Sequence, residues 1–146
     1  MIQQAKQQDA KAAATLALLL WPNHTLKEFT ADMTQLLKGE NAAIFLAYDE
    51  DKAIGFAQCQ LRADYVEGTD SSPVGYLEGL FVMEEYRQQG YARRLVEHCE
   101  QWAKHRGCLE FASDCEWHNE ESLQVHLQLG FTEANRIICF TKKLEK

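Results

Sequence analysis

The sequence predicts an α+β domain with a mixed, mostly antiparallel central sheet flanked by helices. Three observations carry this. Apolar positions at helical spacing and short apolar runs succeed one another in the order β-α-α-β-β-β-α-β-α-β. The stretch Val74 to Met83 is apolar on both phases, as a central strand covered on both faces should be. The 146 residues contain no repeat, low-complexity tract or Pro/Gly/Ser linker, so residues 1–146 read as one domain with one sizeable core.

Taken in order, Ile2 to Ala5 is a short first strand. Asp9 caps a helix with apolar positions at Ala12, Ala13, Leu16, Leu19 and Leu20, and Pro22 ends it. Thr25-Leu26-Lys27-Glu28 has the form of a capping box. Leu26, Phe29, Met33, Leu36 and Leu37 then share one helical face, and Gly39 stands where a C-terminal glycine belongs. Ala42 to Tyr48 and Ala53 to Leu61 form a hairpin about the polar turn Asp49 to Lys52. The second strand alternates unevenly, with Ile54 and Phe56 on one phase and Cys59 and Leu61 on the other, which suggests a bulge. A polar loop, Asp64 to Pro73, leads into the central strand. An amphipathic helix runs from Gly90 to Arg106 and is ended by Gly107. Cys108 to Asp114 is the next strand. Asn119 caps a short helix carrying Leu123, His126 and Leu127, stopped by Gly130, and Arg136 to Thr141 is a final strand.

Composition narrows the function classes. Hydrophobic residues at 46% and two prolines indicate a folded protein. A net charge of −7 with no basic run argues against nucleic acid and suits a small cationic ligand. Five scattered cysteines, an odd number without a C-x-x-C, read as reduced cytoplasmic thiols and give neither a disulfide framework nor a metal site. Ala12 to Trp21 follows Lys6 and Lys11 as a signal peptide would. Pro22-Asn23-His24 replaces a cleavage site, however, and the run is too short to span a membrane, so a core helix is the better reading.

Two features carry chemistry. Arg87-Gln88-Gln89-Gly90-Tyr91-Ala92 turns a strand into a helix N-terminus through a glycine. Unpaired backbone N–H groups and the helix dipole favour a phosphate there, and Gly90 and Ala92 permit close approach. Glu78 lies within the apolar central strand, where an unpaired carboxylate is costly. Burial favours the protonated form of a carboxylate, which makes such a group a candidate general base. The alternative is an ion pair with Arg62 or Arg136. Asp114 ends the following strand and can hold a substrate ammonium or share the base role; the plainer reading is a turn aspartate. The loop acids Asp64, Glu67 and Asp70 can draw in a polycation or be simply solvated.

Leu80-Phe81-Val82 followed by R-Q-Q-G-Y-A resembles the pyrophosphate-binding segment of the GNAT superfamily of N-acetyltransferases. Asn119 with Leu129-Gly130-Phe131 is similar to its second cofactor segment, and the element order agrees along essentially the whole chain. A closer resemblance is to chromosomal type I aminoglycoside 6′-N-acetyltransferases. It rests on Trp21-Pro22-Asn23-His24, on Asp64 to Val74 (D-Y-V-E-G-T-D-S-S-P-V), on Leu77-Glu78-Gly79-Leu80-Phe81-Val82 and on Ala112-Ser113-Asp114.

The resemblance implies acetyl-CoA as co-substrate and a direct ternary-complex transfer to the 6′-amine of an aminoglycoside antibiotic. Glu78 and Asp114 are then catalytic. Trp21, His24, Tyr65, Glu78 and Asp114 bind the acceptor. Phe81, Val82, Arg87, Gln88, Gln89, Gly90, Tyr91, Ala92, Asn119 and His126 bind the cofactor. An N–H near Val82 would polarise the thioester carbonyl. His126 stands where the superfamily often has a tyrosine that protonates the departing thiolate, which leaves the acid open between His126 and no residue at all. A homodimer is a family expectation. The alternatives are the same chemistry on another small amine, a polyamine or a protein N-terminus, and a catalytically silent acyl-CoA sensor.

Overall fold

The computed structural model describes residues 1–145, which divide into two compact units, one ending at Asp114 and one beginning at Cys115. The first unit holds strands β1 (Ile2–Gln4), β2 (Ala42–Asp49), β3 (Lys52–Arg62), β4 (Val74–Val82) and β5 (Phe111–Ala112), with helices α1 (Ala10–Leu20), α2 (Leu26–Lys38) and α3 (Tyr91–His105). The second holds helix α4 (Glu120–Gln128). The sheet order is β1-β2-β3-β4-β5, antiparallel throughout except for the parallel β4·β5 pair.

The core explains the uneven alternation of β3. α1 and α2 pack on one side of the sheet, where Leu16 of α1 and Phe29 and Met33 of α2 join Ile44, Leu46 and Phe56. α3 lies against β2, β3 and β4 and buries Leu95, Val96, Cys99 and Trp102. Ile54, Phe56, Ala57 and Cys59 are all fully buried, so neither phase of β3 needs to be polar. The hairpin does contain a bulge: Ala47 pairs with Gly55 and Tyr48 with Ala53, which leaves Ile54 as the extra residue.

A second bulge shapes the molecule more. Gln58 pairs with Gly79 and Cys59 with Leu77, so Glu78 has no opposite residue on β3. An extra residue inverts the alternation of a strand beyond it. A Cβ at Gly75 would meet Ala103 of α3 at 2.7 Å, whereas one at Gly79 would meet the Trp21 ring at 2.5 Å. Residues four apart on a regular strand share a face; here they face opposite sides because Glu78 intervenes. Gly79 is a glycine because the Trp21 ring occupies the place of its side chain.

Several local expectations need correction. Asp9 stands at the start of α1 but does not cap it; its carboxylate accepts from the Lys6 N–H at 2.8 Å and closes a preceding 3₁₀ turn. Thr25 does cap α2, accepting from the Glu28 N–H at 3.1 Å, but the Glu28 carboxylate accepts from the Thr25 hydroxyl. Gly39 ends α2 with φ −88°, outside the left-handed region. The strand expected over Cys108–Asp114 contracts to Phe111–Ala112, because the Cys108 N–H donates to Ala103 at the end of α3 and Gly75 and Tyr76 supply the whole pairing. The final strand expected over Arg136–Thr141 is absent. Ile138 and Phe140 are 79% and 88% exposed, and among the described residues no strand pairs with the segment. An alternating apolar pattern becomes a strand only where a partner satisfies its backbone.

Candidate functional site

The bulged strand places four polar side chains together. Arg62 lies opposite Val74, and Val74, Tyr76 and Glu78 follow at intervals of two along β4. Tyr76 lies beside Ala112 in the parallel pair, so Asp114, two residues further, falls on the same side. The Arg62 guanidinium donates from Nε to Glu78 Oε2 at 3.0 Å and from Nη2 to Glu78 Oε1 at 2.8 Å. Its Cζ stands 3.5 Å from the centroid of the Tyr76 ring. The Tyr76 hydroxyl donates to Asp114 Oδ2 in a short hydrogen bond.

The environment fixes the protonation of the two intermediaries. Its hydrogen bond to Glu78 holds the Arg62 guanidinium above its ordinary value, so it stays a cation. Burial, and then the hydrogen bond to Asp114, push the Tyr76 phenol well above its ordinary value, so it stays a neutral donor. Of the two carboxylates, Glu78 is paired with the guanidinium and Asp114 with the phenol. Of the alternatives for Glu78, the ion pair with Arg62 is formed, while Arg136 pairs with Glu133 at 2.8 Å. The Glu78 side chain keeps 17% exposure and that of Arg62 keeps 37%.

The other acceptor-side candidates are unevenly disposed. Trp21 is half-buried, tilted against Phe29 and edge-on to Phe56, and stands over Gly79 beside Glu78. His24 is exposed, its ring 4.7 Å from that of Phe29. Tyr65 is 77% exposed. Asp64, Glu67 and Asp70 are exposed, and the loop bearing them is tied down by Glu110, whose carboxylate accepts from the Asp70 N–H at 2.8 Å and the Ser71 hydroxyl at 2.5 Å.

A second region begins where β5 stops. β5 pairs with β4 only at Gly75 and Tyr76, so from Leu77 to Val82 no strand of the described residues flanks β4 on that side. Beyond Val82 the chain makes a 3₁₀ turn, Glu84–Tyr86, and enters α3 through Gln88 at φ 62° and Gly90 at φ 87°. Gly90 is the N-cap residue, and no side-chain cap hydrogen bond is formed there among the described residues. The first-turn N–H groups of a helix have no intrahelical acceptor. A Cβ at Gly90 would meet nothing within 4 Å, so its glycine answers to backbone conformation and not to crowding. Arg87 donates from Nε to the Val82 carbonyl at 2.8 Å, and Gln89 from its amide to the Glu85 carbonyl at 3.2 Å. Tyr91 lies edge-on to Tyr86, and Ala92 is partly exposed.

In the second unit Asn119 caps α4, accepting from the Ser122 N–H at 3.0 Å. His126 Nδ1 lies 2.7 Å from the Ser122 carbonyl, to which it donates, and its ring stands edge-on to Phe131. Sequence reasoning missed Tyr76, because an aromatic in a central strand reads as core. The Arg94 guanidinium stacks 4.6 Å from the Tyr91 ring in the first turn of α3. Among the described residues no group of three or more His, Cys, Asp or Glu side chains could hold a metal. No helix among them is long and apolar enough to cross a membrane.

Residues 10–131 match the model of the acetyltransferase (GNAT) family. The chain is 43% identical over 124 residues to an aminoglycoside N(6')-acetyltransferase type 1 of Salmonella typhimurium, covering 85% of this chain and 86% of that protein. It is 39% identical over 145 residues to an enzyme of the same name from Stenotrophomonas maltophilia, covering 99% and 94%. Among solved structures, AAC(6')-Iy in complex with the bisubstrate analog CoA-S-monomethyl-acetylneamine superposes with a TM-score of 0.94 at 39% identity, covering 99% of this chain and 98% of that one. The 6'-N-acetyltransferase AAC(6')-Ih from Acinetobacter baumannii gives a TM-score of 0.94 at 38% identity, with 99% of both chains covered.

Proposed function

Because the chain belongs to the acetyltransferase (GNAT) family, we propose that it is an aminoglycoside 6′-N-acetyltransferase using acetyl-CoA, and hence a resistance enzyme. The observation that carries this reading is the acidic face at Glu78 and Asp114 beside the open edge of β4. It occurs in a chain that matches a bisubstrate-bound AAC(6')-Iy along 99% of its length. Residues 1–146 act as one acetyltransferase domain, a reading supported by a family match that runs through both units.

Acetyl-CoA supplies an acetyl thioester, and this chain's residues do the rest. Backbone N–H groups from Gln88 to Ala92 hold the pyrophosphate, Gly90 permits the approach and Arg87 adds charge. Phe81 and Val82 offer the pantetheine arm a strand to pair with, and an N–H near Val82 polarises the thioester carbonyl. Asn119 and His126 are assigned to the cofactor on the resemblance of their own segment. On the acceptor side Trp21 and Tyr65 present aromatic edges to a sugar, with His24 beside Phe29, and Asp114 holds an ammonium group. Glu78 takes a proton from the 6′-ammonium, because only a neutral amine is nucleophilic. Transfer is direct. Cys59, Cys99 and Cys108 are buried, the hydrogen bond that Cys99 donates to Cys59 raises the Cys99 thiol, and burial raises that of Cys108. The protein works in the cytoplasm, where free thiols persist, as a homodimer.

Turnover of neomycin B against paromomycin tests the reading, since the two differ only in an amine or a hydroxyl at the 6′ position. Neomycin B should be acetylated at that nitrogen, with the site assigned by NMR, and paromomycin should be a poor acceptor. Its affinity should fall as salt rises, because attraction between a polycation and an acidic face is screened. Turnover of spermidine or a peptide N-terminus, and of no aminoglycoside, would leave an acetyltransferase with a different acceptor. Binding of acetyl-CoA with no turnover of any amine would favour a sensor.

A further inference from the structure

Arg62 is the cation of the face that carries Glu78, Tyr76 and Asp114. Its guanidinium donates one hydrogen bond to each oxygen of Glu78, at 2.8 and 3.0 Å, so it occupies the same carboxylate that an acceptor ammonium would approach. On its other side it rests on the face of the Tyr76 ring, 3.5 Å away. Its side chain is 37% exposed, which leaves a path into solvent. Tyr76 is itself held by its hydroxyl bond to Asp114 and stays a neutral donor. The titratable and charged groups at this face are Arg62, Glu78, Tyr76 and Asp114, which together carry one cation against two carboxylates.

We propose that Arg62 is a resident counter-cation that the 6′-ammonium of the acceptor displaces from Glu78, so that Arg62 sets how strongly the site favours an amine over a hydroxyl at that position. This inference rests on the reading of Glu78 as the acceptor-facing carboxylate. The physical argument is repulsion between like charges. A guanidinium and an ammonium on one half-buried carboxylate lie a few ångströms apart, where repulsion is poorly screened. One must yield, and the partly exposed side chain is free to swing along Tyr76. A 6′-hydroxyl brings no charge and has no reason to evict Arg62.

The test measures binding by calorimetry without acetyl-CoA, so it is independent of whether Glu78 is the base. In Arg62→Gln the charge is gone. Neomycin B should then bind about tenfold more tightly, while the affinity for paromomycin stays within about twofold. Arg62→Lys keeps a competing charge and should leave both affinities within about threefold of the wild type. Should Arg62→Gln fail to fold, the unmodified protein still answers. Its Arg62 Nε–H signal, assigned by its loss in Arg62→Lys, should lose protection from hydrogen exchange on addition of neomycin B and keep it with paromomycin. The proposal is overturned if neomycin B binds no more tightly to Arg62→Gln, or if both compounds tighten equally. It is likewise overturned if Arg62→Lys tightens as much as Arg62→Gln, or if the Nε–H signal responds alike to both ligands. Loss of kcat in Glu78→Gln, or its absence, bears on the base alone.

Discussion

The two ends of β4 are built in opposite ways. The Tyr76–Glu78 end presents side chains: a guanidinium bracketed by a carboxylate and an aromatic face, and a phenol tied to a second carboxylate. Past Val82 the chain presents backbone: an open strand edge, a glycine at φ 87° and a helix start without a side-chain cap. A side-chain site is sensitive to charge and hydrogen-bonding type. A backbone site tolerates most side chains and fails only when its conformation or its clearance is lost. The bulge at Glu78 and the early end of β5 separate the two regimes on one strand.

The sharpest way to break this comparison is to change one atom at the side-chain end. Glu78→Gln keeps the shape but cannot take a proton. We expect kcat to fall by about 10²–10⁴-fold, the usual range for a general base, with little change in acetyl-CoA affinity. Near-normal kcat at neutral pH would move the base to Asp114. At the backbone end, Gly90→Val has open space at its Cβ but imposes a β-branched residue on a left-handed backbone, a strain of about 1–3 kcal/mol. The variant should fold and lose most of the thermal stabilisation that CoA gives the wild type, because a ligand stabilises only through its affinity for the native state. Full protection by CoA would remove the pyrophosphate from this turn.

The two ends were also unequally legible in the sequence. Gly90 was legible as a turn glycine between an apolar strand and an amphipathic helix, and its φ of 87° agrees with that; the phosphate reading came only with the rest of the chain. Glu78 stood out as a charge in an apolar run, and its pairing with Arg62 was one of two partners open to it. The bulge was not legible: sequence gives the alternation of a strand, while the two-against-one register at Glu78 is set by pairing with β3. Tyr76 was passed over for the same reason, since an aromatic in a central strand reads as core. Arg136–Thr141 shows the converse error, a strand pattern without a strand, because the pattern does not encode its partner.

A smaller effect separates charge from aromatic support within the first site. Tyr76→Phe keeps the ring on which Arg62 stacks and removes only the donor to Asp114. Asp114 is exposed, so the lost bond should cost at most about 1 kcal/mol of stability. If Asp114 holds an acceptor ammonium, the KM for neomycin B should rise by about three- to tenfold as the carboxylate is freed to turn away, with kcat little changed. Matching falls in kcat and kcat/KM would instead place Tyr76 or Asp114 in the proton transfer.

The smallest effect tests whether the loop carrying Tyr65 belongs to the side-chain regime. Glu110 anchors that loop by accepting from Ser71 and Asp70, and these hydrogen bonds hold its carboxyl below the ordinary 4.5. A depressed folded-state value means that the anchor contributes fully above 4.5 and is lost as pH falls through the lower folded value. Glu110→Gln can still accept from both donors but does not titrate. The difference in Tm between wild type and Glu110→Gln should be about 2 °C or less near neutrality, as befits a partly exposed group. It should shrink to nothing once the pH falls below the folded value. Exchange of the Asp70 amide should report the same transition, slow in the wild type at neutral pH and faster as the carboxyl protonates. A Tm difference that stays constant through the acid range would mean that the substituted amide perturbs packing and that the loop owes nothing to the Glu110 charge.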